Sequence, residues 1–177
     1  MDDNRIKEIL LTEEQLNDKV TELAKTLSEK YEDQNPLVIS VLNGSFMFCS
    51  DLLKKMNFPL ELNFIQVSSY GNSTESTGSI QISGNRIDMK GRRVIIIADI
   101  IGSGNTLERL TEYFGTLGAD TVETCVLLDK PSRREVDIEP DYCGFKIEDK
   151  FVVGYGLDYA QYFRNLPFIG VLDETKI

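Results

Sequence analysis

Residues 94–107 read VIIIADIIGSGNTL: a wholly apolar run, one carboxylate at Asp99, and then a Gly-Ser-Gly-Asn-Thr turn placed to open a helix. An unbroken run rich in β-branched residues suits a strand buried on both faces of a parallel sheet, because helices cover each face. A turn of small residues after such a strand lets backbone N–H groups approach an anion, and the hydroxyls of Ser103 and Thr106 add donors. The same segment also suits an ordinary strand-turn-helix crossover in which the glycines serve geometry alone.

Outward from this segment the pattern repeats. Residues 37–42 (LVISVL) make an apolar strand, followed by Asn43-Gly44-Ser45 and a helix carrying Phe46, Met47, Cys49, Leu52, Leu53 and Met56. Residues 60–67 alternate apolar and polar as a strand, and residues 68–85 then turn rich in Ser, Thr, Gly and Asn, which reads as a mobile stretch. Beyond the central strand at 93–97, a helix is expected over 106–117 and a strand over 121–128, ending at Asp129-Lys130. Near the N-terminus Thr12-Glu13-Glu14-Gln15 has the form of a capping box, and Leu16, Val20, Leu23, Ala24, Leu27 and Tyr31 follow at helical spacing. The C-terminal third is irregular and aromatic, with short apolar segments at 151–154 and 168–172. Alternating strands and helices of this kind imply an α/β fold with a mostly parallel central sheet flanked by helices. Ligands in such folds sit beyond the carboxyl ends of the strands, here residues 42–44, 99–104 and 129–130.

At 177 residues, with no repeat or linker, one domain over 1–177 is expected. The formal net charge of -10 argues against general binding of nucleic acid or anionic membrane, since the whole-molecule field repels polyanions. Any phosphate must be held locally. Cys49, Cys125 and Cys143 are widely spaced in apolar surroundings and read as free thiols of a reducing, cytoplasmic setting. There is no histidine, so imidazole acid-base chemistry and His-ligated metals are excluded. The N-terminal MDDNRIKEIL has neither the charge nor the apolar run of a signal peptide.

Four segments at these positions together resemble the hypoxanthine-guanine phosphoribosyltransferase family of type I phosphoribosyltransferases: VLNGSFMF from Val41, SSYGNSTES from Ser68, ADIIGSGNTL from Ala98, and LLDKPSRREV from Leu127 through KFVVGYGLDYAQYFRNLP. The resemblance spans nearly the whole chain. It implies transfer of 5-phosphoribose from phosphoribosyl pyrophosphate to hypoxanthine or guanine, with Mg2+ as cofactor, in a homodimer or homotetramer. It assigns Ser103, Gly104, Asn105 and Thr106 to the 5'-phosphate, and Asn43, Gly44 and Arg164 to pyrophosphate. The peptide between the positions of Leu42 and Asn43 is often cis in the family, and a basic residue usually stands where this chain has Asn43. Lys130, Phe151, Val152 and Asp158 fall to the purine site. Lys130 would donate to the purine O6, Phe151 would stack on the base, and Asp158 would also ligate Mg2+. Ser69 and Tyr70 fall in the family's closing loop, which excludes water from a cation-like centre.

Two positions depart from that pattern. Where the family has adjacent Glu-Asp, two apolar residues and then Asp, this chain has Ala98-Asp99-Ile100-Ile101-Gly102. Asp99 is kept among the catalytic positions, whereas Ala98 lacks the carboxylate for a ribose hydroxyl and Gly102 lacks the one that faces the purine N7 as base. Loss of a general base commonly costs about 10²–10⁴-fold in rate. Two readings follow: a salvage enzyme with impaired catalysis, or a homologue that uses the pocket to sense a nucleotide or phosphoribosyl pyrophosphate.

Overall fold

The computed structural model describes residues 3–69, 80–83 and 87–177. In chain order the elements are β1 (Ile6–Leu11), α1 (Glu13–Tyr31), β2 (Leu37–Leu42), α2 (Phe46–Leu53), β3 (Glu61–Ser69), β4 (Ile80–Ser83), β5 (Arg93–Ile101), α3 (Asn105–Thr116), β6 (Thr121–Asp129), β7 (Tyr142–Lys146), β8 (Val152–Val153) and β9 (Ile169–Leu172). The central strand is β5. It runs parallel to β2 on one side, with Ile39 opposite Ile96, and to β6 on the other, with Ile96 opposite Thr124.

The unbroken apolar run of β5 is explained by what lies on its two faces. Ile95 and Ile97 pack with Leu16, Val20 and Leu27 of α1 and Phe48 and Leu52 of α2. Val94, Ile96 and Ala98 face the other way, into a cluster with Leu107, Leu110 and Phe114 of α3. Both sides of the sheet are therefore closed by helices, and each fully buried large side chain contributes about 1.5–3 kcal/mol of transfer free energy. The sheet order is β4-β3-β2-β5-β6-β7, parallel except for the antiparallel edge strand β4. A second sheet of three antiparallel strands, β1-β9-β8, carries Phe151 and Val152 towards the carboxyl end of β6.

Helix α1 begins as its sequence dictates. Thr12 Oγ1 accepts from Gln15 N at 3.2 Å, and Gln15 Oε1 accepts from Thr12 N at 2.9 Å, satisfying two otherwise orphaned donors. Three strands were not expected from sequence. Ile80–Ser83 lies inside the stretch read as loop, yet its Ile-Gln-Ile-Ser alternation pairs it with β3, Ser69 opposite Ile80. β1 and β7 are marginal as isolated segments and are fixed by their partners β9 and β6. The closing-loop assignment divides: Ser69 ends β3, while Tyr70 lies outside the described residues. The three cysteines are free thiols, Cys49 and Cys125 buried and Cys143 partly so. Among the described residues no helix is long and apolar enough to cross a membrane.

Candidate active site

Three strand ends converge. At the end of β2 the Leu42–Asn43 peptide is cis, matching the expectation for this position. The turn behind it is tied down by Ser45, whose hydroxyl bonds Ser40 Oγ at 2.7 Å and donates to Val41 O at 2.6 Å. Asn43 Oδ1 accepts from Gln66 Nε2 at 3.1 Å, which links β2 to β3. Gly44 is required by proximity: a Cβ there would collide with the carboxylate of Asp99, and a Cβ on Gly156 would collide with the Gly44 carbonyl. The backbones of the β2 end and of the C-terminal segment thus stack beside Asp99.

Asp99 lies near the end of β5, where its Oδ1 accepts from Ile100 N at 2.9 Å. Burial pushes its carboxyl above the ordinary value; the Ile100 amide and the nearby Arg164 guanidinium pull it down, and Asp158 pushes it up. The chain then enters the turn. Asp99, Gly102, Ser103, Gly104 and Thr106 line a cavity of about 160 Å³, with Ala98 in its wall. Gly104 takes the left-handed conformation, φ 86°, and a Cβ there would press on Ile138 and Val136. The first amides of α3 follow directly, Asn105 N donating to Ser103 Oγ at 3.3 Å, and the positive end of the helix dipole lies at the turn. The Asn105 side-chain amide donates to Glu135 Oε2 at 2.8 Å and pins the loop from behind.

On one flank lie Lys130 and Phe151. Lys130 N donates to Ile101 O at 2.9 Å, so the Lys130 loop is bonded to the β5 end. Its ammonium is largely buried and donates to Lys150 O at 2.6 Å, with Asp149 at 3.6 Å. Loss of hydration lowers the lysine's pKa. Phe151 keeps 39% of its surface exposed, meets Tyr159 edge-on at 5.9 Å, and lines with Lys130 a cavity of about 580 Å³. An aromatic left open beside a partly dehydrated cation can receive a planar polar ring. Val152 is buried and stands opposite Val171 in the β8–β9 pair, next to the bonded pair in which Leu172 N donates to Phe151 O at 2.8 Å.

On the other flank, residues 154–164 fold back as a tight loop with positive φ at Tyr155, Ala160, Gln161 and Phe163. Arg164 pairs with Asp158 at 3.0 Å and donates to the Gly156 carbonyl at 2.8 Å and to Gln161 Oε1 at 3.0 Å. Gln161 N in turn donates to Asp158 Oδ2 at 2.8 Å. A guanidinium and a carboxylate are thus presented beside Gly44 and Asp99. Among the described residues no three acidic or thiol side chains converge into a cation site of their own. A hard divalent cation there would need oxygens from a ligand as well.

Sequence reasoning passed over three residues that hold this arrangement. Gly156 makes the backbone contact with Gly44; Tyr155 donates to Asp51 Oδ2 at 2.6 Å and bolts the loop to α2; Arg134 bonds the turn at Gly102 to β6. Only the spacing of Tyr155 between two glycines hinted at a close-packed corner. Gly102 carries the opposite message: its φ is not positive, and a Cβ would find nothing closer than Arg133 carbons at 3.9 Å, so the fold does not demand glycine there.

Residues 8–160 match the phosphoribosyl transferase domain. The chain is 48% identical over 168 residues to the hypoxanthine-guanine phosphoribosyltransferase of Bacillus subtilis, covering 94% of this chain and 93% of that protein. It is 47% identical over 170 residues to the bifunctional protein TilS/HprT of Listeria monocytogenes, covering 96% of this chain and 26% of that protein. The chain therefore spans about a quarter of the length of those Listeria relatives. A solved structure of a Staphylococcus aureus hypoxanthine phosphoribosyltransferase superposes with a TM-score of 0.92 at 44% identity, covering 98% of this chain and 95% of that one.

Proposed function

This chain belongs to the hypoxanthine-guanine phosphoribosyltransferase family, and from that premise we propose that it transfers 5-phosphoribose from phosphoribosyl pyrophosphate to hypoxanthine or guanine, slowly, giving IMP or GMP and pyrophosphate. The observation that carries this reading is the placement of one anion-holding turn between a lysine-aromatic cavity and an arginine-carboxylate loop, all at the carboxyl ends of parallel strands. The order matches a substrate with a phosphate, a sugar, a base and a leaving pyrophosphate.

In this reading the 5'-phosphate sits on residues 103–106, held by the backbone amides and the hydroxyls of Ser103 and Thr106. Asp99 faces the ribose. Lys130 exchanges its bond to the Lys150 carbonyl for the purine O6, which favours a 6-oxo over a 6-amino purine because an amine would oppose a second donor. Phe151 covers the ring. Gly44 and Asn43 present backbone donors to pyrophosphate, and Arg164 adds its fork once Asp158 turns to the cation. Asp158, with pyrophosphate oxygens, would hold Mg2+, which supplies neutralisation of the charge that builds on the leaving group. No side chain on the turn reaches N7 of the base, since Gly102 has none and Ala98 offers only a methyl group. Proton removal is then left to the solvent or to pyrophosphate, and turnover is slow. We further propose a cytoplasmic homodimer or homotetramer with small-molecule substrates only.

The test is formation of IMP from radiolabelled hypoxanthine, phosphoribosyl pyrophosphate and Mg2+. The native chain is expected to turn over slowly, and Ala98→Glu with Gly102→Asp to gain about 10²-fold or more, the scale of a restored general base. No product from either protein would overturn the reading. The apolar wall at Ala98 and Gly102 also favours a second reading, a nucleotide sensor, for which calorimetry would find tight IMP binding with no turnover.

A further inference from the structure

Behind the anion turn lies an ion pair that this reading does not use. Asp129, the last residue of β6, is fully buried and accepts from Arg134 Nη2 at 2.8 Å. The other arm of the same guanidinium, Nη1, donates to the Gly102 carbonyl at 2.7 Å. The exposed Glu139 follows at 3.7 Å. One planar fork therefore spans the end of the strand that precedes Lys130 and the first residue of the turn that receives the phosphate. Arg134 also packs its aliphatic stem against the left-handed Gly104, and the next residue donates from its backbone, Glu135 N to Ser103 O at 2.9 Å.

As a stabilising device this pair is poor. Asp129 Oδ2 and Arg134 Nε are buried without a protein partner, and buried ion pairs seldom outperform apolar replacements even when saturated. What the fork does supply is geometry. With its carbonyl bonded to Arg134, Gly102 is fixed at the start of the turn whose residues 102–104 and 106 line the cavity. We propose that Arg134 is a positioning residue, which sets the shape of the anion turn and couples it to the Lys130 loop without touching ligand. This rests on the reading of residues 103–106 as a 5'-phosphate site.

Lysine at this position separates positioning from packing. Arg134→Lys keeps a cation for Asp129 but replaces the two-armed plane with a single nitrogen that cannot hold both acceptors in that geometry. The measurement is the thermal midpoint together with the calorimetric affinity for IMP, with ribose 5-phosphate as competitor. Arg134→Lys is expected to keep a midpoint close to the native one and to weaken IMP and ribose 5-phosphate alike by about tenfold, the scale of one charged hydrogen bond. The second variant, Arg134→Met with Asp129→Asn, removes the buried charges together; it is expected to fold and to remain weak for both ligands. Affinity that returns in this double variant, or native affinity in Arg134→Lys, overturns the proposal. If the native chain itself binds neither ligand, the phosphate-site reading fails with it. A native chain that binds and a variant that binds equally well refute only the role of Arg134.

Discussion

Asp99 is where stability and function pull apart. Its carboxyl is raised above the ordinary value of 3.8, burial being the largest cause. A carboxyl raised on folding takes up a proton as the chain folds, at pH values between its unfolded and folded pKa. Across that window the native state binds more protons than the unfolded state, so stability falls as pH rises from 3.8 through the raised folded value. Asp99→Asn removes the charge while its amide oxygen can still accept from Ile100 N. The variant is expected to melt at a higher temperature than the native chain at pH 7, with the advantage shrinking as pH falls towards 3.8 and lost below it. Melting curves at several pH values check this; an advantage that grows on acidification would refute it. The same substitution should weaken ribose-bearing ligands, since a group held charged against its environment is a usual mark of a binding site. Residues of this kind were legible in sequence because Asp99 is the one charge in an apolar run. Arg134 was not, because it stands among Arg133, Glu135 and Asp137 in a segment that reads as solvated, and its partner Asp129 is distinguished only by fold-dependent burial.

At the scale of elements, what positions the site is the seam between α2 and residues 154–164. Tyr155 crosses it with a hydroxyl that donates to Asp51 Oδ2 at 2.6 Å, and Asp51 is also paired to Lys54 at 2.8 Å. Tyr155→Phe deletes one hydrogen bond and leaves Asp51 its lysine, so the expected loss of stability is modest, about 1–2 kcal/mol. The loop it anchors carries Asp158 and Arg164, and the expected functional result is weaker pyrophosphate binding with IMP binding little changed. Denaturant unfolding and calorimetry with the two ligands check the pair of outcomes, and an equal loss for both ligands would count against the seam as a local device. The elements themselves divided by how local their determinants are. α1 announced its start through Thr12 and Gln15, and β5 its burial through four successive apolar β-branched residues. β1 announced nothing comparable, for it is short and gains its ladder only from β9, more than 150 residues away. β4 was hidden for a different reason: its two isoleucines sit between polar turn-formers, and only pairing with β3 selects the strand.

For the whole molecule, a formal charge of -10 surrounds a pocket proposed to take doubly and more highly charged anions. The two demands are reconciled by distance. Lys130 and Arg164 and the amides of the α3 N-terminus act within a few ångströms of the ligand, whereas the acidic surface acts as a diffuse field around the molecule. Salt separates the ranges. The screening length falls from about 30 Å at 0.01 M to about 8 Å at 0.15 M, so the diffuse repulsion is lost first and the contacts in the pocket are affected least. The association rate for IMP is therefore expected to rise as ionic strength increases over this interval, with the dissociation rate nearly constant. A basic nucleotide-binding protein would show the reverse, because its long-range field attracts. Stopped-flow binding at a series of salt concentrations measures both rates. A steady fall in association rate would mean that the local cations dominate the approach as well as the bound state, and that the acidic residues lie where the incoming phosphate does not feel them.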